Sequence, residues 1–232
     1  MLKTHDKKGA IVTGGAKRLG KAIAIFLAIN GYDIVIHYHT SKEQALNTKN
    51  IIEELCNQKC TLIQADLTVF DSLSNFIDKA FEAMPYCNCL INNASIFYKN
   101  TLMNTTIEDF SQNYNIHIQA PLFLTQYFTK KCSITGNIIN MIDAMVLRDS
   151  TRYFIYTMSK KSLLDFTKFA AVELSPQIKV NAIAPKMIPN DFLNKINYDN
   201  IMENIEVKTI LQRIKELLNV NNNETGTINF MK

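Results

Sequence analysis

The stretch GAIVTGGAKRLGK, residues 9–21, runs from an unbroken apolar segment through a glycine turn into a helical pattern. An apolar run without polar alternation marks a strand covered on both faces, as in parallel sheets. A glycine turn between such a strand and a helix lets backbone N–H groups and a helix N-terminus face a phosphate. An ordinary tight β-α turn uses the same residues, so position must separate the two readings. Here the turn follows the first strand of the chain, where nucleotide-binding α/β folds place theirs. The spacing is Gly14, Arg18, Gly20, with Leu19 before the last glycine, rather than G-x-G-x-x-G. Arg18 adds a guanidinium suited to bidentate contact with phosphate oxygens.

The same pattern recurs along the chain. Strands are expected at 9–15, 33–39, 60–67, 88–95, 136–143, 179–185 and 226–230, with helices near 17–30, 41–57, 69–84, 106–131, 153–174 and 198–219. Regular β-α alternation implies an α/β class: a Rossmann-like, doubly wound parallel sheet of about seven strands with helices on both faces. No linker interrupts it, so residues 1–232 are expected to form a single domain.

The second strand ends His37-Tyr38-His39-Thr40-Ser41. Dinucleotide folds read the adenosine ribose at this point, and a carboxylate there selects NAD. No acid appears before Glu43. Hydroxyls, imidazoles and the Lys42 amine suit a 2′-phosphate, so NADP (NADPH) is the expected cofactor. For either histidine alone, an exposed strand end is an equal reading. Asp66 ends the third strand beside Leu67; it either accepts from an adenine amino group or caps the next helix.

Composition narrows the class. Hydrophobic residues are 47% and charged residues 20% of the chain, which fits a globular protein with an ample core. A net charge of +4, with no basic run interleaved with aromatics, argues against nucleic acid as a partner. The five cysteines lack C-x-x-C spacing, which argues against zinc or a disulfide framework and for a reducing cytoplasm. No apolar run approaches the length of a membrane span, and MLKTHDKKG lacks the apolar stretch of a signal peptide.

Tyr156 and Lys160 lie four apart on an expected helix and share a face. Alone they read equally well as a surface pair. A lysine cation about 4 Å from the phenol, at an effective dielectric near 20, is worth roughly 4 kcal/mol, or about three pKa units. That shift makes the tyrosine a usable acid near neutrality.

TG-x3-R-x-G (13–20), NNAS (92–95) and Y-x3-K (156–160), in that order, resemble the short-chain dehydrogenases/reductases over residues 9–230. The resemblance implies hydride transfer with a nicotinamide cofactor. It implies that Asn92, Asn93, Ala94 and Pro185 line the cofactor path, that Lys160 holds the nicotinamide ribose, and that Tyr156 supplies a proton. Most members carry a serine thirteen residues before that tyrosine; this chain carries Asp143. A carboxylate opposes the negative charge that reduction builds on a carbonyl oxygen, yet it stabilises cationic character on an imine-like nitrogen. It also raises the tyrosine pKa, partly offsetting Lys160. A structural aspartate capping the next loop remains the other reading of Asp143.

The pteridine reductases and dihydromonapterin reductases share that aspartate, and the chain resembles them in TGGAKRLG, HYHTS and NNASIFY. By that resemblance Phe97 stacks on a pterin opposite the nicotinamide, while Ser95 and Arg18 contact pterin or phosphate. Met187 then lies at the mouth of the site. The implied reaction takes a dihydropterin, or a folate-like relative, to its tetrahydro form. A carbonyl reductase acting on 3-oxoacyl thioesters or other ketones is the competing reading, and a non-catalytic nucleotide-binding member a third. Three departures stand out. His117 replaces a family asparagine, Lys186 replaces a glycine after Pro185, and the Asp-Gly-Gly tail is missing. A homo-oligomer, tetramer or dimer, built on the helices near 106–131 and 153–174 is expected.

Overall fold

A computed structural model of the protein describes residues 7–148, 151–188 and 190–231. The chain alternates β1 (Lys8–Val12), α1 (Arg18–Ile29), β2 (Tyr32–Tyr38), α2 (Lys42–Leu55), β3 (Cys60–Gln64), α3 (Phe70–Ala83) and β4 (Cys87–Asn92). It continues with α4 (Ile107–Tyr114), α5 (Ala120–Lys131), β5 (Gly136–Met141), α6 (Phe154–Leu174) and β6 (Ile178–Ala184). Then come α7 (Asn190–Asn194), α8 (Ile205–Leu217) and β7 (Ile228–Phe230). The seven strands form one sheet in the order β3-β2-β1-β4-β5-β6-β7, and every pairing is parallel.

Both faces of the sheet are covered, which explains the continuous apolar runs. In β1, Ala10 and Val12 pack with Ile23, Phe26 and the α8 residues Ile210 and Ile214. Ile11, between them, faces the other way, into a core with Phe76, Ile77, Leu124 and Phe128. At about 1.5–3 kcal/mol per large side chain removed from water, these two layers dominate the stabilisation. The strand order reverses direction between β1 and β4, so the loops beyond their C-terminal ends diverge and open a crevice.

Several boundaries differ from the expectation. The strands end earlier, so 13–15, 65–67, 93–95 and 142–143 are loop residues on the crevice side rather than strand. The helix expected over 106–131 is three pieces, because a π-helical turn at Asn115–Gln119 separates α4 from α5. The last long helix begins at Ile205, where the Asn204 side chain accepts from Val207 N at 3.0 Å. The short α7 has no counterpart among the expected helices.

Candidate active site

The crevice holds a cavity of about 570 Å³. Its floor is the turn after β1, its back wall the ends of β4 and β5, and one side the first two turns of α6. Gly14, Arg18, Leu19, Gly20, Asn93, Ala94, Ser95, Phe97, Asp143, Tyr156, Lys160, Pro185 and Met187 all line it. Those residues span most of the chain, and the topology gathers them.

Thr13 organises the floor. Its hydroxyl accepts from Asn93 N and Ala94 N, both at 2.9 Å, and donates to Ile91 O at 3.2 Å. Asn93 Nδ2 returns bonds to Thr13 O at 2.9 Å and Gly14 O at 3.3 Å. The two glycines are needed for different reasons. Gly14 has φ +62, and a Cβ on Gly20 would stand 2.1 Å from Gly14 O. Arg18 also has positive φ, +57, and its guanidinium donates to Asn190 Oδ1 across the cavity.

The residues after β2 divide. His37 is buried; its Nδ1 accepts from Gly14 N at 3.0 Å and its Nε2–H donates to Ala65 O at 3.1 Å. Burial drives its pKa down to about 4, so it is a neutral brace for the glycine turn and not a cation for phosphate. This corrects the expectation for His37. Tyr38 is corrected likewise, because its ring is buried in the core beside α1 and α2. Leu67 is a core residue too. His39 and Thr40 are exposed and Ser41 half-buried; His39 Nε2 lies 3.7 Å from Asp66. Asp66 Oδ1 accepts from the backbone and hydroxyl of Thr68 at 2.9 and 2.7 Å, closing a turn in the loop before α3 rather than capping that helix, whose N-cap is Val69. Asn92 is buried behind the cavity, donating to Asn140 Oδ1 at 2.8 Å, and Asn140 donates to Thr167 at 2.9 Å.

At the back wall, Asp143 caps the next loop, as one reading had it, and also meets Tyr156. Its Oδ1 accepts from Met145 N at 2.8 Å, capping a 3-10 turn over Ala144–Leu147, and its Oδ2 accepts from the Tyr156 hydroxyl at 2.8 Å. Burial, then the Asp143 charge and hydrogen bond, push the Tyr156 pKa far above that of free phenol. Lys160 does not counter this: its Nζ turns to Met141 O at 2.8 Å and stands 5.9 Å from the Tyr156 ring centre. The expected acidification of the phenol by the lysine is therefore corrected; the phenol is held protonated. Lys160 is itself buried, which lowers its pKa to about 8, with Asp143 opposing. An ammonium has three N–H donors, and only the one to Met141 has a partner among the described residues. Phe97 is half exposed. One face stacks on Tyr153, centroids 4.5 Å apart, and the ring stands nearly perpendicular to that of Tyr156, centroids 4.8 Å apart.

Motif reading missed Thr13, Lys17, Asn140, Ser159 and Asn190. Asn140 was visible as a polar residue inside an apolar run, since such residues need partners when buried. Lys17 is a second cation on the cavity wall beside Arg18, one residue earlier in the same turn.

A glycine cradle at the sheet's switch point, with a tyrosine and a buried lysine on one helix face, defines a dinucleotide-dependent oxidoreductase. Residues 8–201 match the short chain dehydrogenase family, and the chain belongs to it. Pteridine reductase 1 of Leishmania tarentolae is 29% identical over 232 residues, covering 82% of this chain and 80% of that protein. L-2,3-butanediol dehydrogenase of Corynebacterium glutamicum is 30% identical over 214 residues, covering 90% and 82%. Among solved structures, FolM alternative dihydrofolate reductase 1 from Brucella suis, in complex with NADP, superposes with a TM-score of 0.84. It is 26% identical, with 98% of this chain and 94% of that chain covered.

Proposed function

We propose that the chain is an NADPH-dependent pterin reductase that takes a dihydropterin, or dihydrofolate, to the tetrahydro form. One observation carries the reading: a carboxylate, Asp143, bonded at 2.8 Å to the tyrosine hydroxyl on the wall of the cavity. The pteridine reductase of Leishmania tarentolae and the NADP-bound FolM structure support it.

The residues present fit the cofactor. Gly14 and Gly20 keep side chains out of the turn where a pyrophosphate approaches, with Lys17 and Arg18 offering positive charge beside it. The two N–H groups of Lys160 that have no partner among the described residues suit ribose hydroxyls. NADPH supplies the hydride when bound. The chain's own part concerns the proton. Tyr156 holds one at its hydroxyl because burial and Asp143 disfavour the phenolate. Transfer to a C=N nitrogen makes that nitrogen cationic, and the adjacent carboxylate offsets the charge. The exposed part of Phe97 offers a platform for a flat ring.

Purified protein, NADPH and a panel of 7,8-dihydropterins, followed by NADPH absorbance, test the reading. Ketones and 3-oxoacyl thioesters belong in the same panel, because the butanediol dehydrogenase likeness favours a carbonyl substrate. Turnover of ketones with none of pterins overturns the pterin assignment. Gly20→Ala should abolish measurable NADPH binding by fluorescence and lower stability by about 1–3 kcal/mol, since its Cβ forces the turn apart.

A homo-oligomer belongs to the same reading. Phe169 and Val172 on α6 and Ile107 and Phe110 on α4 are apolar and exposed. Val172→Glu should shift the sedimenting species to a smaller size; a monomeric wild type overturns the expectation.

A further inference from the structure

The π-helical turn at Asn115–Gln119 carries a buried imidazole, His117, between two serines. Its Nε2 lies 2.8 Å from Ser95 Oγ, and its Nδ1 lies 2.8 Å from Ser159 Oγ. Ser159 Oγ also lies 2.8 Å from Tyr156 O. We propose that His117 is a positioning residue that fixes the polarity of Ser95, so that Ser95 meets a ligand in the cavity only as a hydrogen-bond acceptor. This rests on the reading of the cavity as the reductase site, and it deepens that reading by naming what the substrate must present: an N–H or O–H donor against Ser95.

The direction of each bond follows from counting protons. Tyr156 O is a carbonyl and cannot donate, and two oxygens about 2.8 Å apart without a proton between them repel. The Ser159 proton therefore points at Tyr156 O. The contact between Ser159 Oγ and His117 Nδ1 then needs its proton from the imidazole, so Nδ1 carries hydrogen. His117 is neutral, because burial and the nearby Lys160 cation both hold its pKa well below the ordinary value. A neutral ring with hydrogen on Nδ1 has a bare Nε2, which accepts from Ser95. Ser95 has one proton and one competing carbonyl, Ile96 O, but that oxygen is 3.3 Å away against 2.8 Å for Nε2. The neutral Tyr156 hydroxyl, which donates to Asp143, can also accept from Ser95, but imidazole Nε2 is the more basic acceptor and lies at 2.8 Å, so it takes the proton. Ser95 is exposed to the cavity, so its remaining lone pairs face the ligand.

The arrangement selects by polarity. A ligand group that only accepts, such as a bare carbonyl, meets an oxygen with no proton to give. A ring N–H or amino group meets a matched acceptor. Asp143 also only accepts when ionised, so two walls of the cavity ask for donors. The His37 ring provides an internal contrast, since its contacts demand the opposite tautomer, with hydrogen on Nε2.

Nitrogen-15 spectra of histidine-labelled protein at neutral pH test this without any substrate. The resonance lost in His117→Gln should show hydrogen on Nδ1, and the resonance lost in His37→Gln should show hydrogen on Nε2. Hydrogen on Nε2 of His117, or a doubly protonated ring, overturns the proposal. In kinetics with the best dihydropterin, Ser95→Ala should raise KM about tenfold, the worth of one neutral hydrogen bond, with a smaller change in kcat. Ser159→Ala frees the imidazole to change tautomer and should raise KM in the same direction. An unchanged KM in both variants also overturns the proposal. If the wild type reduces no pterin, the reductase assignment falls, while the tautomer measurement still decides the polarity of Ser95.

Discussion

Asp143→Ser should cut kcat/KM for a dihydropterin by about a hundredfold or more, a loss of roughly 3 kcal/mol of transition-state stabilisation. Serine suits the test because Asp143 has two duties. Its Oδ1 caps the turn at Met145, and serine is a good cap, so the loop is expected to survive. Its Oδ2 holds the Tyr156 hydroxyl, and there serine removes the charge. The Asp143 charge and hydrogen bond are two of the causes that raise the Tyr156 pKa, so the variant's phenol should ionise at lower pH by ultraviolet titration. The same change should raise turnover of ketones, whose oxygen becomes negative in the transition state and no longer meets an anion. A variant that keeps full activity on pterins, or gains it, rules out a catalytic part for the carboxylate. Asp143→Asn separates charge from shape. It keeps a hydrogen-bonding side chain of the same size, so a comparable loss there places the effect in the charge.

The sheet was legible because covering both of its faces imposes continuous apolar runs, and the switch-point cavity followed from the glycine turn after β1. What escaped was orientation within elements. His37 reads as a strand-end polar group, yet its register opposite Ile63 turns it inward, edge-on to the Phe76 ring at 5.3 Å. A shift of one residue would have sent it to the other face. Lys160 escaped in a similar way. Helical spacing places it on the Tyr156 face, but the free carbonyl of Met141 at the end of β5 captures its ammonium, and no sequence pattern announces that carbonyl. The π turn around His117 has no punctuation of its own, since Asn115–Gln119 continues an ordinary helical pattern. α7 is five residues long, too short for periodicity to register. Thr13, by contrast, stood in plain view in the glycine motif. Its importance lies in accepting from two successive backbone N–H groups of the β4 loop, a long-range contact that motif reading cannot supply.

Lys160→Met should give an inactive protein that melts higher than the wild type when no ligand is bound. The ammonium is buried with one hydrogen-bond partner among the described residues, and its pKa stands at about 8 against an ordinary 10.5. That difference penalises the folded state by about 3 kcal/mol at neutral pH. Methionine fills the stem's volume without a charge but leaves Met141 O without its donor, which costs about 1 kcal/mol. The net gain of about 2 kcal/mol corresponds to roughly 4–8 °C in a chain of this size. The sign with pH is set by the lowered pKa. Below about pH 8 both folded and unfolded chains carry the proton and the penalty is constant; between about 8 and 10.5 only the unfolded chain does, so the penalty fades. The difference in melting temperature between variant and wild type should therefore shrink as pH rises through that window. Added NADP should also shrink it, because ribose oxygens would engage the two N–H groups that have no partner among the described residues. A variant that melts lower than the wild type at neutral pH, or a difference that ignores both pH and NADP, would show that the lysine is satisfied in the free protein. A stabilised, inactive variant would show instead that the fold tolerates a buried, under-bonded cation because the site needs it there.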